Sequence, residues 1–467
     1  MLQIPIAISF DGEVLVNKNN FVPAVSAVIS VGFIWLLSGL NNHGEATTPA
    51  VEPSLDTSEN LGFTESAAQK KLLAPDGTAD DLFGGEVAIS GNFAIAGASW
   101  DDHKGNNSGS AYIFYRHKGG VNNWGKQRKL LAPDGAADDH FGGAVAISGD
   151  YAIVGAAVND DKGDRSGSAY IFHRNRGGSN KWGKLRKLLA PDGAAEDLFG
   201  TSVFIFGDHA IVGASGNDDK GSRSGSAYIY YRNKGGANKW GLQRKLLAPD
   251  GAEDDFFGQA VFISNNFAIV GASGDDHKGS NSGSAYVFHR NRGGPDNWGK
   301  RKKLLAPDGA ADDHFGQSVF ISGSYAIVGA RGNDDKGSGS GSAYIFFRNE
   351  GGTNNWGKQK KLLAPDGAEG DSLGERVGIY GDYAIAGAYA NEDQGDYTGS
   401  AYIFYRNKGG ANNWGKIRKL LAPDAAMGDE FGTSVGIWRA HAIVGAWGDD
   451  DKGAESGSAY VFTGFVQ

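Results

Sequence analysis

The chain has 467 residues, a formal net charge of −9, 74 glycines and no cysteine. The acidic balance argues against a nucleic-acid or anionic-membrane partner, and the lack of cysteine excludes disulfides, thiolate metal sites and a cysteine nucleophile. Glycine at about twice its average usage points to many tight turns, while 11% aromatics supply the bulk for a packed core.

Residues 1–20 read as an N-terminal extension. Phe21–Leu40 is a 20-residue stretch without charge, long enough to span a bilayer. Lys18 precedes it, and no Lys or Arg follows before Lys70, whereas Glu45, Glu52, Asp56 and Glu59 do. The positive-inside rule then predicts that the chain beyond this stretch lies outside the cytoplasm. Residues 21–40 are either a cleaved signal, with small Gly44 and Ala46 near a candidate cut, or an uncleaved anchor that tethers the chain to the membrane. Leu37-Ser38-Gly39 approaches a lipoprotein box, but Leu40 stands where that box needs Cys, so lipid anchoring is rejected. Residues 41–68, with Thr, Pro, Glu and Ser, read as a linker.

From residue 69 to 467 one unit repeats. Lys-Leu-Leu-Ala-Pro-Asp recurs at Lys71, Lys129, Lys187, Lys245, Lys303, Lys361 and Lys419, every 58 residues without insertion. Such a period marks a solenoid, propeller or array, and the content of a copy decides among them. In the second copy Ala144–Ser148, Tyr151–Ala156, Ser168–Arg174 and Gly183–Ala190 are apolar or alternating runs separated by Gly, Asp, Asn and Ser, the pattern of strands and turns. Four short strands repeated seven times predict an all-β, seven-bladed β-propeller of four-stranded antiparallel blades. The last copy ends after the strand Ala459–Phe462 and lacks a fourth, while the chain offers a spare one around Gln69–Ala74. The N-terminal strand should therefore close the ring and remove open sheet edges. In the third strand Ala169 and Ile171 should point one way and Tyr170 and Phe172 the other. Lys184, Arg186 and Lys187 on the fourth should form a rim facing water.

Phe141-Gly142, followed after two residues by Val-Ala-Ile-Ser-Gly-Asp-Tyr-Ala-Ile-Val and Gly155-Ala156, resembles an FG-GAP repeat. That repeat is the blade unit of the integrin α-subunit propeller and of many bacterial surface proteins. The Phe-Gly pair stands at Phe83, Phe141, Phe199, Phe257, Phe315 and Phe431, with Leu373-Gly374 in copy six; Gly-Ala recurs in all seven copies. The resemblance implies a seven-bladed propeller used for adhesion or ligand binding. It also implies calcium in a loop between the first two strands, but here that loop is only Ser148-Gly149-Asp150, a hairpin turn too short for an EF-hand-like cage.

Alternate loops of an antiparallel blade share a face. The loop into each first strand and the loop between strands two and three carry most of the acids; Arg174, Arg176 and Lys181 lie on the other side. Three acidic columns recur: Asp76, Asp134, Asp192, Asp250, Asp308, Asp366 and Asp424; then Asp81, Asp139, Asp197, Asp255, Asp313, Asp371 and Asp429; then Asp102, Asp160, Asp218, Asp276, Asp334, Glu392 and Asp450. The first two are candidate calcium ligands, since hard cations take several oxygens in a glycine-hinged loop. The third is the candidate ligand-binding column. Turn chemistry is the simpler reading of all three, because Asp bonds its neighbouring backbone in turns. Trp124, Trp182, Trp240, Trp298, Trp356 and Trp414 suit sugar stacking, but the simpler reading is that each covers the outer strand of its own blade with one polar edge wet.

No asymmetric nucleophile or acid–base pair stands out, so catalysis is not expected. The function expected is an exported or cell-surface binding or adhesion module whose acidic face takes a protein or glycan ligand. The alternatives are a purely structural surface or matrix protein, and a propeller enzyme with its site in divergent copies six and seven, at Arg376, Tyr389, Asp393, Tyr397, Trp438, Arg439 and Trp447.

Overall fold

The computed structural model describes residues 68–465. The readings of residues 1–20 and 21–40, and of the linker up to residue 67, lie outside the described residues. Among the described residues no helix is long and apolar enough to cross a membrane.

The described chain forms seven four-stranded antiparallel sheets. Blade 1 runs through Phe83–Ser90, Phe93–Ala98, Ser110–Tyr115 and Gly125–Leu130. Blades 2 to 6 repeat this order. Each hairpin between first and second strands is tight: Ser148 pairs with Tyr151 in blade 2, and Gly149 between them takes φ 57°. Blade 7 draws three strands from the C-terminal end, Ser434–Trp438, His441–Ala446 and Ser458–Thr463, and its outer strand from Ala68–Leu72. Gln69 lies opposite Phe462 and Leu72 opposite Ala459. The closing strand thus forms as the sequence predicts, but ends at Leu72 rather than Ala74, because the Ala74 carbonyl accepts from Gly77 in a turn.

The core is divided into seven apolar clusters, each lying between two adjacent blades. Ala169 and Ile171 of blade 2 join Val203 and Ile205 of blade 3, whereas Tyr170 and Phe172 join Ile95 and Ile113 of blade 1. This is why the third strand is apolar on both faces although its residues alternate. Phe141 is fully buried, edge-on to Tyr170 and Phe172 at 5.4 and 6.1 Å between centroids. The glycine of each Gly-Ala pair is required by close approach: a Cβ on Gly155 would lie 2.1 Å from the Gly200 carbonyl oxygen of the next blade.

The tryptophans are sealed rather than wet-edged. All six are no more than 2% exposed. Each spans to the preceding blade rather than covering its own: Trp182 meets Phe93 at 5.4 Å and donates through Nε1 to Gln127 at 2.7 Å. Among the described residues the seventh blade has no such tryptophan, and Phe465 packs on Tyr383 instead.

First strands from all seven blades line a central cavity of about 160 Å³. Phe204, Phe262 and Phe320 stack there at 3.8 and 3.7 Å between successive centroids. The same position is Ala88, Ala146, Gly378 and Gly436 in the other blades, so bulk on one side of the axis is matched by small residues on the other.

Candidate functional site

The two acidic loops interlock from blade to blade. Asp138 N–H donates to the Asn106 carbonyl at 2.7 Å and His140 N–H to that of Asn107 at 3.1 Å. The same pair of bonds, Asp80 to Ala454 and Leu82 to Glu455, joins blade 1 to blade 7. The face is therefore a closed belt of hydrogen-bonded loops.

Each column has its own place in this belt. The first-column carboxylates are exposed, and each accepts from the lysine next to last in its blade's fourth strand: Lys129 for Asp76, Lys187 for Asp134, Lys245 for Asp192, Lys303 for Asp250, Lys361 for Asp308, Lys419 for Asp366 and Lys71 for Asp424, at 2.7–3.0 Å. In five blades a tyrosine hydroxyl from the third strand, such as Tyr112 on Asp76, donates as well. Burial raises these carboxyls, but the lysine and tyrosine bonds outweigh it and hold all seven below the usual range. Lys187 was expected to face water on the rim; instead it and its six equivalents turn onto the acidic loops, where at least two carboxylates attract each of them.

The second-column aspartates are buried, and each accepts from the backbone N–H three residues before it, at 2.7–2.9 Å. They close their own turns. The third-column residues are all exposed, and in six of seven blades one carboxylate oxygen accepts from the N–H five residues on, at 2.7–2.8 Å.

A fourth column was not singled out from the sequence. It runs Asp101, Asn159, Asn217, Asp275, Asn333, Asn391 and Asp449 and is buried throughout. Where it is Asp, the lysine bonds it at 2.7 Å. Where it is Asn, the lysine pairs instead with Asp two residues later: Asp161, Asp219, Asp335 or Asp393. Blades 1 and 4 carry His103 and His277 at that second position, so one charge is exchanged for the other. Blade 7 has both acids. Asp424, Asp449 and Asp451 place carboxylate oxygens within 4.8 Å of one another, the one such group among the described residues, and Lys71 lies among all three.

The calcium place implied by the resemblance, between first and second strands, does not fit a cage. The turn has two residues, and Asp150 is engaged by Arg174 at 3.1 Å.

The divergent residues do not form one patch. Arg376, which lines the central cavity, gathers with Tyr389 and Trp447 on the acidic face. There Arg376 bonds Glu86 at 3.4 Å and Glu375 at 3.0 Å, Arg331 bonds Glu375 at 3.2 Å, and Trp447 Nε1 donates to Glu430 at 2.5 Å. Burial lifts Glu86 above the usual carboxyl range despite the Arg376 charge beside it. Asp393 pairs with Lys419, and Tyr397 is half exposed in its loop. Trp438 and Arg439 stand at the far end of the blade 7 first strand, the guanidinium 4.7 Å over the indole.

The fold and loops define a seven-bladed β-propeller with one belt of acidic loops. The family model for the FG-GAP repeat matches seven times, at residues 67–114, 124–172, 182–230, 240–288, 298–346, 356–404 and 414–462. The chain belongs to the FG-GAP repeat family, whose propellers are commonly binding or adhesion modules. No curated protein matches the chain.

Proposed function

We propose that the chain is a non-catalytic binding or adhesion module that works outside the cytoplasm and takes a protein or glycan ligand on its acidic-loop face. The third column carries this reading. Its seven acids are exposed at equivalent positions of seven blades, and six are pre-set by a bond to their own loop backbone. Side chains already ordered lose little entropy when they bind, and a ring of like charge steers cationic groups toward one face. The family's usual extracellular or surface setting supports the location, as does the charge bias around residues 21–40.

The test has two arms. A reporter fused after Gln467 should be accessible from outside the cytoplasmic membrane; an exclusively cytosolic signal sinks the location. Beads coated with the protein should adhere to an array of glycans and matrix proteins, and Asn at the six aspartates with Gln at Glu392 should abolish adhesion without lowering the melting temperature. Adhesion that survives this change removes the acidic face from the reading.

A further inference from the structure

The repeat shows where a pocket has been opened. Directly after Phe-Gly, or Leu-Gly in blade 6, blades 3 to 7 carry Thr201, Gln259, Gln317, Glu375 and Thr433, but blades 1 and 2 carry Gly85 and Gly143. Directly after Gly-Ala, blades 1, 3 and 4 carry Ser99, Ser215 and Ser273, blades 2, 5 and 6 carry Ala157, Arg331 and Tyr389, and blade 7 carries Trp447. Between these positions lies a cavity of about 220 Å³ whose walls include Glu86, Ser99, Thr433, Trp447, Gly85 and Gly143. Neither of those two glycines is demanded by the backbone. A Cβ on Gly143 would meet nothing nearer than the His140 carbonyl oxygen at 3.4 Å, and one on Gly85 only the Leu82 carbonyl oxygen at 3.3 Å. Gly142, by contrast, has φ 107° and no room for a Cβ. What Gly85 and Gly143 supply is space.

We propose that this cavity binds one neutral pyranose ring of a glycan, an assignment that rests on the binding-module reading above. A pyranose has a flat C–H face and a rim of hydroxyls. The Trp447 indole gives the flat apolar wall, and its N–H bond to Glu430 fixes its orientation. Glu86, Ser99 and Thr433 give acceptors and donors for hydroxyls. The volume falls below the ~300–1,000 Å³ typical of drug-sized ligands, which suits a single ring. Among the described residues no cationic side chain lines the cavity, while Glu86 stands in its wall and Glu430 holds its Trp447, which disfavours uronic and sialic acids. A basic ligand would meet Arg376 already on Glu86 and Glu375.

Saturation-transfer NMR on the purified propeller tests this. The probes are methyl glucoside, galactoside, mannoside and N-acetylglucosaminide, set against methyl glucuronide and N-acetyl-argininamide. At least one neutral glycoside should bind, and Gly143→Gln and Trp447→Ser should each weaken it by about tenfold. Both variants install a residue that other blades already hold at that position, so parental melting temperatures are expected. The proposal is overturned if no neutral glycoside binds, if neither variant weakens binding, or if the glucuronide or the argininamide is preferred. Loss of the glycoside with bead adhesion intact removes the pocket and leaves the module; loss of adhesion with glycoside binding intact does the converse.

Discussion

Lys71 donates to the carboxylate of Asp449 at 2.7 Å across 378 residues of sequence, so the strand that closes the ring also neutralises the most acidic loop of the belt. Lys71→Met would strand a buried Asp449 beside Asp424 and Asp451. Breaking a buried pair costs about 3–5 kcal/mol, and with the lysine side chain 20% exposed about 2–4 kcal/mol is expected. In blade 5 the equivalent Lys361 faces two half-exposed carboxylates, Asp308 and Asp335, beside neutral Asn333, so Lys361→Met should cost about 1 kcal/mol. Denaturant melts of the two variants decide it, and equal losses would remove the special role of Lys71. Truncation through Ala74 should likewise unfold or aggregate the propeller, while truncation through Asn60 should leave its melting unchanged.

Two second-column acids should give the protein an acid-leaning stability profile. Burial, reinforced by the charges of Asp275 and Asp449, lifts Asp255 and Asp429 to about 6 from 3.8. Between about pH 4 and 6 the folded state then holds more protons than the unfolded one, so stability falls as pH rises through this window. At about 1.4 kcal/mol per pKa unit, each penalty at neutral pH is roughly 2–3 kcal/mol. The first-column acids, held low by their lysines, act oppositely: their contribution is present above the unfolded value and is lost as pH falls further. Asp255→Asn and Asp429→Asn keep a turn acceptor and should flatten the slope between pH 4 and 6 in denaturant melts; an unchanged slope would contradict the assignment.

Gly155→Ala and Gly149→Ala separate two uses of glycine. At Gly155 the obstacle is the neighbouring blade, with the Gly200 oxygen 2.1 Å from a new Cβ. Backbone must move, and a loss of about 3 kcal/mol or more is expected. At Gly149 nothing lies within 4 Å but φ is 57°, so the left-handed conformation alone should cost about 1–2 kcal/mol. The order of the two melting temperatures checks this, and a reversed order would mean that the blades can separate without strain.

The architecture was legible because one unit was written seven times and ended one strand short, which left Gln69 and its neighbours a single partner. The turn role of Asp139 was legible too, since Asp in a tight loop bonds its own backbone. Lys187 was misplaced because alternation assigns a face to a side chain but not how far along the strand a long one reaches. The Asp101/Asn159 column escaped notice because its meaning lies in a pair, Asp-x-His exchanged for Asn-x-Asp, and a column read alone hides the exchange. The pocket beside Trp447 depends on what glycines in two other blades omit, which only the folded ring brings together.

The calcium reading of the first two columns turns on which cation the loops prefer. Each first-column carboxylate already holds a lysine ammonium at 2.7–3.0 Å, and each second-column carboxylate accepts from its own turn. A calcium ion would have to displace the lysine and still find six to eight oxygens. Millimolar calcium should therefore raise the melting temperature no more than sodium chloride at the same ionic strength, because both would only screen the exposed third column. Specific sites would behave differently: stabilisation would saturate and reach about 2.7 kcal/mol per site at a hundredfold excess over Kd. A saturable, calcium-specific gain that disappears when Asp139 and its six equivalents become Asn would overturn the expectation. If the gain disappeared instead with Asp424→Asn alone, the ion would sit in blade 7, in competition with Lys71.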